Sequence, residues 1–339
     1  MRSFHCPTCD QLVFFENTVC LACGTALGFD PTIREVVGVD PAHHRPCSNA
    51  VVAACNWLIG DRDPIGLCLS CRLTRTRPPD GTGSDDAFVK AEAAKRRLVF
   101  QLLELGLPIR SYVEDADDGV AFDLLSSMVG PVTTGHMDGV VTVDISESDD
   151  VHREWVRLRL GEQYRTVLGH FRHEIGHYYW TVLVERAGRL DEFRARFGDD
   201  RQDYAAALDH HYSVGPPDDW ETGYVSPYAT MHPWEDWAET FAHVLHILDT
   251  LQTAASFRLD VVDEPTAREP LHEPFERVVD AWLPLSYALN AVNSSMGKDD
   301  FYPFVLAPAV VDKMAYVHGL VREAGSRQLQ APMSTRTPR

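Results

Sequence analysis

All eight cysteines of the chain precede residue 72, and their spacing restricts how that part can fold. Cys6-Pro-Thr-Cys9 and Cys20-Leu-Ala-Cys23-Gly24 are two Cys-x-x-Cys knuckles separated by ten residues. Each knuckle turns two sulfurs toward one point, so the pair supplies the four thiolates of a tetrahedral zinc site. A redox pair would need only one such knuckle. Between them Gln11–Phe15 reads as a short strand, which completes a zinc ribbon. A segment this small buries too little apolar surface to fold alone, so the metal supplies the folding energy. Cys47, Cys55 and Cys68-Leu-Ser-Cys71 form a looser second set. They make another four-cysteine site if the loop from 55 to 68 folds back, and His43 or His44 could replace one thiolate. Four thiolates leave zinc no open position, so both sites read as structural.

Disulfides are the competing use of eight cysteines. The opening Met1-Arg2-Ser3-Phe4-His5-Cys6 has none of the apolar stretch of a signal peptide, which favours a cytoplasmic chain with reduced thiols. No apolar run approaches the roughly 18 residues of a membrane span. The net charge is −19, yet residues 1–82 are near balance, with seven Arg against eight Asp and Glu. The acidic excess therefore lies in the remainder, where it repels phosphate backbones and argues against nucleic acid as a partner.

The spacing of apolar and turn residues predicts an α+β chain: a small zinc-ribbon region, then a mostly helical domain with a small β-sheet. The expected boundaries are 1–77 for the ribbon region with two zinc sites, 78–84 for a proline- and glycine-rich linker, 85–324 for the second domain and 325–339 for a disordered tail. Ser84 can cap a helix running to about Leu105. Strands are expected at 120–125 and 140–145, the second entered through an Asp138-Gly139 turn. Further helices are expected at 161–188, 191–212, 233–256, 275–293 and 308–323, with a loop over 257–274.

The helix at 161–188 holds His173-Glu174-Ile-Gly-His177 near its middle. Its two histidines are four residues apart, so their imidazoles leave one face one turn apart and can reach one zinc ion. Glu174 beside them can take a proton from a water at that metal. This is the H-E-x-x-H signature of zinc peptidases.

A catalytic zinc needs a third protein ligand and an open position. The helix opening at Pro233 supplies Glu235 and Glu239, which share a face. One can bind zinc while the other accepts the free N–H of a ligating histidine. Spacing does not decide between them. Tyr228 is a candidate donor to the oxyanion of a hydrolytic intermediate, with a buried core tyrosine as the alternative. His170, His243 and His246 read as supporting or packing residues, and His136 as a residue of the cleft.

These motifs resemble a bacterial family of zinc-binding metallopeptidases with an N-terminal zinc-ribbon domain. The resemblance rests on both cysteine groups, Ala54-Cys-Asn-Trp57, His170-Phe-Arg-His-Glu-Ile-Gly-His-Tyr-Tyr-Trp180 and Tyr228-Ala-Thr-Met-His-Pro-Trp-Glu-Asp-Trp-Ala-Glu-Thr-Phe-Ala242. Pro284–Asn290 and Tyr302–Leu306 extend it. The Tyr228, Glu235 and Glu239 spacing is also similar to that of a gluzincin toxin, which implies Glu235 as ligand and Glu239 as its histidine's partner. Glu239-Thr-Phe-Ala resembles the ligand motif of zinc aminopeptidases, which implies the reverse.

The function expected is zinc-dependent peptide-bond hydrolysis with Glu174 as general base, one catalytic zinc and two structural ones. The substrate would be a peptide or protein, and the ribbons could engage a protein partner. Two other classes stay open. In one, the chain is a non-catalytic scaffold whose third zinc is structural. In the other, the ribbons and the Arg72, Arg75 and Arg77 patch make it a nucleic-acid-associated protease or adaptor.

Overall fold

A computed structural model describes residues 2–148, 166–261 and 269–330. The expected first turn of the metal helix (161–165), the middle of the expected loop (262–268) and the last part of the expected tail (331–339) lie outside them.

The ribbon region consists of three two-stranded antiparallel hairpins. These are β1 (Phe4–His5) with β2 (Leu12–Val13), β3 (Leu27–Asp30) with β4 (Glu35–Gly38), and β5 (His44–Pro46) with β6 (Leu58–Gly60). Phe4, Phe15, Phe29 and Trp57 fill its interior. That interior is not closed off. It shares a face with α2 (Asp85–Glu104), where Phe100 lies 5.0 Å from Phe15 and 5.5 Å from Phe29 between ring centroids. Arg96 of α2 is buried and donates to the carbonyl of Ala53 at 3.0 Å. The apolar surface that a free ribbon would expose is thus covered by the helical part.

A short helix α1 (Leu69–Arg72) leads into β7 (Thr74–Thr76). β7 does not lie in a linker-side tail of the ribbon region; it is one edge of the main sheet. The sheet order is β7, β8 (Ala121–Leu125), β10 (Val140–Asp144), β9 (Gly135–Met137). β7, β8 and β10 run parallel and β9 is antiparallel to β10. The ribbon region and the sheet are therefore joined by backbone pairing across the expected domain boundary. Asp138 and Gly139 join β9 to β10 with φ of 48° and 77°, the two left-handed residues of a tight hairpin turn.

The six helices expected from the sequence appear among the described residues as seven, with corrections at their ends. Ser84 does not cap α2 through its side chain; its hydroxyl donates to Ser126 instead. Helix α3 (Val167–Trp180), which carries His173 and His177, starts at Thr166, whose hydroxyl accepts from Gly169 N, and continues as a π-helical turn over Thr181–Glu185. The single helix expected over 191–212 is two, α4 (Leu190–Phe197) and α5 (Tyr204–Val214). Gly198, with φ of 101°, ends the first, and the Asp203 carboxylate caps the second. Next come α6 (Pro233–Ser256), α7 (Phe275–Ser295) and α8 (Pro308–Gln330). α8 corrects the tail expectation: residues 325–330 are helical, and Gly325 packs against Gly106 and Leu105. Among the described residues no helix is long and apolar enough to cross a membrane. The architecture is α+β.

Candidate active site

The site is made where α3 crosses α6. Gly176 permits the crossing: a Cβ on it would lie 3.1 Å from Ala238 Cα, so α6 seats directly on the α3 backbone. Trp237, fully buried, donates its indole N–H to Gly176 O at 2.8 Å and fixes the crossing further. Pro233 opens α6, where its missing N–H costs nothing.

On the facing sides, His173 Nε2 lies 3.0 Å from Glu235 Oε2 and 3.3 Å from His177 Nε2, and His177 Nε2 lies 3.5 Å from the same Glu235 oxygen. Zinc bonds of ~2.0–2.1 Å in tetrahedral array separate adjacent ligand atoms by ~3.3 Å. The triangle therefore has the size of one zinc coordination face. Burial opposes charge throughout, but His177 and His173 hold the Glu235 carboxyl well below the carboxylate range. Glu235 and Glu239 likewise hold His173 well above the histidine range despite its burial. Such a site draws a cation.

Glu239 faces the other side of His173. Its Oε1 lies 2.6 Å from His173 Nδ1, and its Oε2 accepts from the Ser226 hydroxyl at 2.6 Å. The His173 contact outweighs burial and holds Glu239 at about 2. Tyr204, from α5, donates its hydroxyl to Glu235 Oε1 at 2.9 Å. Neither Tyr204 nor Ser226 stands out in the sequence, because each reaches the site from a segment whose pattern carries no ligand spacing.

Glu174 is buried and lines the cleft; its Oε1 lies 3.1 Å from His170 Nε2. Tyr228 lines the same cleft, with its ring centroid 6.0 Å from that of His173. Burial, then the Glu235 charge, push its phenol far up, so it stays a neutral donor. His136 on β9 stacks on His177 at 6.3 Å, and burial lowers it to about 4. His243 Nδ1 lies 2.7 Å from the Tyr302 hydroxyl and His246 accepts from Arg172 at 3.3 Å; both lie outside the triangle. The cleft above all these residues measures about 1450 Å³ and includes the whole of β9.

The two cysteine groups form compact four-sulfur clusters, Cys6, Cys9, Cys20, Cys23 and Cys47, Cys55, Cys68, Cys71. The Cys6–Cys23, Cys9–Cys20 and Cys55–Cys68 sulfur pairs are each 3.6 Å apart, close to the ~3.8 Å set by zinc–sulfur bonds of ~2.3 Å. His44 turns to Asp30 and His43 to Asp40, away from the second cluster. The Arg72, Arg75 and Arg77 patch is not a free cationic surface. Arg72 pairs with Asp63 and Glu114, Arg75 with Asp123, and Arg77 with Asp80.

A family described as "Putative zinc-binding metallo-peptidase" matches residues 84–320, and a "zinc-ribbon domain" matches residues 3–82. The chain belongs to this metallopeptidase family. It is also 51% identical over 327 residues to proteins of Mycobacterium tuberculosis and Mycobacterium bovis, covering 95% of this chain and 96% of theirs. Both relatives are described as uncharacterised. No solved structure matches. The family and the two four-cysteine sites together make this a zinc protein.

Proposed function

We propose that the chain is a gluzincin-like zinc metallopeptidase that hydrolyses peptide bonds. The observation that carries this is the triangle of His173 Nε2, His177 Nε2 and Glu235 Oε2 at the base of a large cleft, with the Glu174 carboxylate beside it. Zinc bound there supplies Lewis acidity toward a water and a substrate carbonyl. His173, His177 and Glu235 hold it, and Glu239 accepts the Nδ1–H of His173 so that Nε2 keeps its lone pair for the metal.

Glu174 takes one proton from the attacking water as its oxygen bonds to the carbonyl carbon. When the C–N bond breaks, Glu174 gives that proton to the leaving nitrogen. Tyr228 donates a hydrogen bond to the carbonyl oxygen as negative charge gathers on it. Tyr204 ties Glu235 Oε1, leaving Oε2 toward the histidines. The substrate is an extended peptide or protein segment: among the described residues β9 is an edge strand within the cleft, and a peptide strand can pair along it.

The two four-cysteine sites are structural, and the ribbon region can also contact a protein partner. We place the working chain in the cytoplasm, where thiolates stay reduced for zinc. Metal analysis tests the assignment. Wild type should hold three zincs per chain, Glu235→Ala two, and Glu239→Ala three with the third bound about 10- to 100-fold more weakly. Loss of the third zinc in Glu239→Ala but not in Glu235→Ala would reverse the two roles.

A further inference from the structure

His170 lies one helical turn before Glu174 on α3, so both side chains leave the same face. Its Nε2 is 3.1 Å from Glu174 Oε1, and its Nδ1 is 3.1 Å from Glu147 Oε2. Glu147 comes from the 3-10 turn Ile145–Ser148 that directly follows β10. The three side chains are only 13%, 7% and 7% exposed for His170, Glu147 and Glu174. A buried imidazole is thus held between two carboxylates, one from the end of the sheet and one from the metal helix.

We infer that His170, braced by Glu147, is a positioning residue that fixes which oxygen of Glu174 faces the reacting water. The inference rests on the reading of Glu174 as the proton acceptor. An ionised carboxylate only accepts hydrogen bonds, so an imidazole serving two of them must donate from both nitrogens, which makes it an imidazolium. Burial works against that charge, but Glu147 and then Glu174 outweigh it and raise His170 to about 9.

The consequence falls on Glu174. Its Oε1 is occupied by His170, while Oε2 is buried without a hydrogen-bond partner among the described residues. Oε2 is therefore the atom left to take and return the proton. A glutamate has three side-chain torsions, and tying one oxygen to a fixed donor removes most of that freedom before substrate arrives. The brace also holds β10, and hence the hairpin carrying β9, against the helix that carries the base. His170 and Glu174 are four residues apart on one helix, but Glu147 lies 23 residues before His170, so only the fold reveals that pair.

The test uses the full zinc-loaded chain and has two arms. In the first, nitrogen NMR of the histidine rings is recorded at pH 8, where an ordinary histidine is neutral. His170 should have both ring nitrogens protonated in wild type and should become neutral in Glu147→Gln. A neutral His170 in wild type overturns the brace whether or not the chain cleaves peptides. In the second, Glu147→Gln, His170→Ala and His170→Gln are compared on a fluorogenic peptide drawn from a library digest. The first two should lose about 10- to 100-fold in kcat with KM nearly unchanged and three zincs retained. His170→Gln, whose amide can still donate to Glu174, should recover part of the loss. A kcat equal to that of wild type in all three variants would overturn the positioning role. A protonated His170 in a wild type that cleaves no peptide supports the brace and rejects the peptidase reading alone.

Discussion

Gly176 of α3 rests against Ala238 of α6 so closely that a Cβ on the glycine would come within 3.1 Å of the Ala238 Cα and 3.3 Å of its carbonyl oxygen. The neighbours are backbone atoms, which cannot rotate away as a side-chain tip can. The contact sits one residue before His177 on α3 and three residues after Glu235 on α6, so the spacing of the helices sets the spacing of the His173, His177 and Glu235 triangle.

Gly176→Val should force α3 and α6 apart. Overpacking a tight contact costs about 1–3 kcal/mol, more than the helix propensity gained by losing a glycine. Urea unfolding should therefore report a lower midpoint, and the third zinc should be lost to a chelator at lower concentration than in wild type. Unchanged stability and zinc affinity would mean that the crossing has slack.

Cys55 tests the shared core. It is buried in the second four-cysteine cluster, two residues from Trp57, whose ring lies 4.7 Å from Phe29; Phe29 in turn meets Phe100 of α2. Cys55→Ser should remove one structural zinc and lower the melting temperature of the entire chain in one transition. Two separate melting transitions would mean that the ribbon region folds independently.

Tyr204→Phe keeps the ring and removes the hydroxyl that Glu235 Oε1 accepts. A hydrogen bond to a charged group contributes about 1.5–3 kcal/mol. The variant should bind the third zinc about 10- to 100-fold more weakly while leaving both cysteine sites filled. Stoichiometric zinc binding under chelator competition, wild type beside variant, measures this directly.

Local spacing made much of this molecule legible from the sequence. The Cys-x-x-Cys knuckles, His173 and His177 on one helical face, and Glu235 with Glu239 on another are each set within a few residues. Helix α6 begins at the expected proline and ends at the expected serine. What local spacing cannot carry is who supports whom. Ser226, Tyr204 and Glu147 reach the site from a loop, a separate helix and the end of the sheet. Their residue types are ordinary, and the fold brings them to His170 on α3 and to Glu235 and Glu239 on α6.

Two departures of the fold from the local sequence pattern have plain causes. The stretch Gly198-Asp-Asp-Arg-Gln-Asp203 interrupts the apolar pattern with a glycine stop and an aspartate cap, and the helical residues on either side mask both signals. Arg72 to Arg77 reads as a basic patch because its arginines are close in sequence. In the fold, Arg75 turns to Asp123 of β8, and the strand it sits on closes one edge of the sheet.

The central claim is that Glu174 moves the proton in a hydrolysis carried out at the His173, His177 and Glu235 site. Cleavage of a peptide library by wild type and by Glu174→Gln, each first brought to three zincs per chain, tests it most directly. The account predicts discrete cleavage products from wild type and at least a 100-fold loss, about 2.7 kcal/mol of barrier, in the variant. Equal cleavage by both proteins would contradict it.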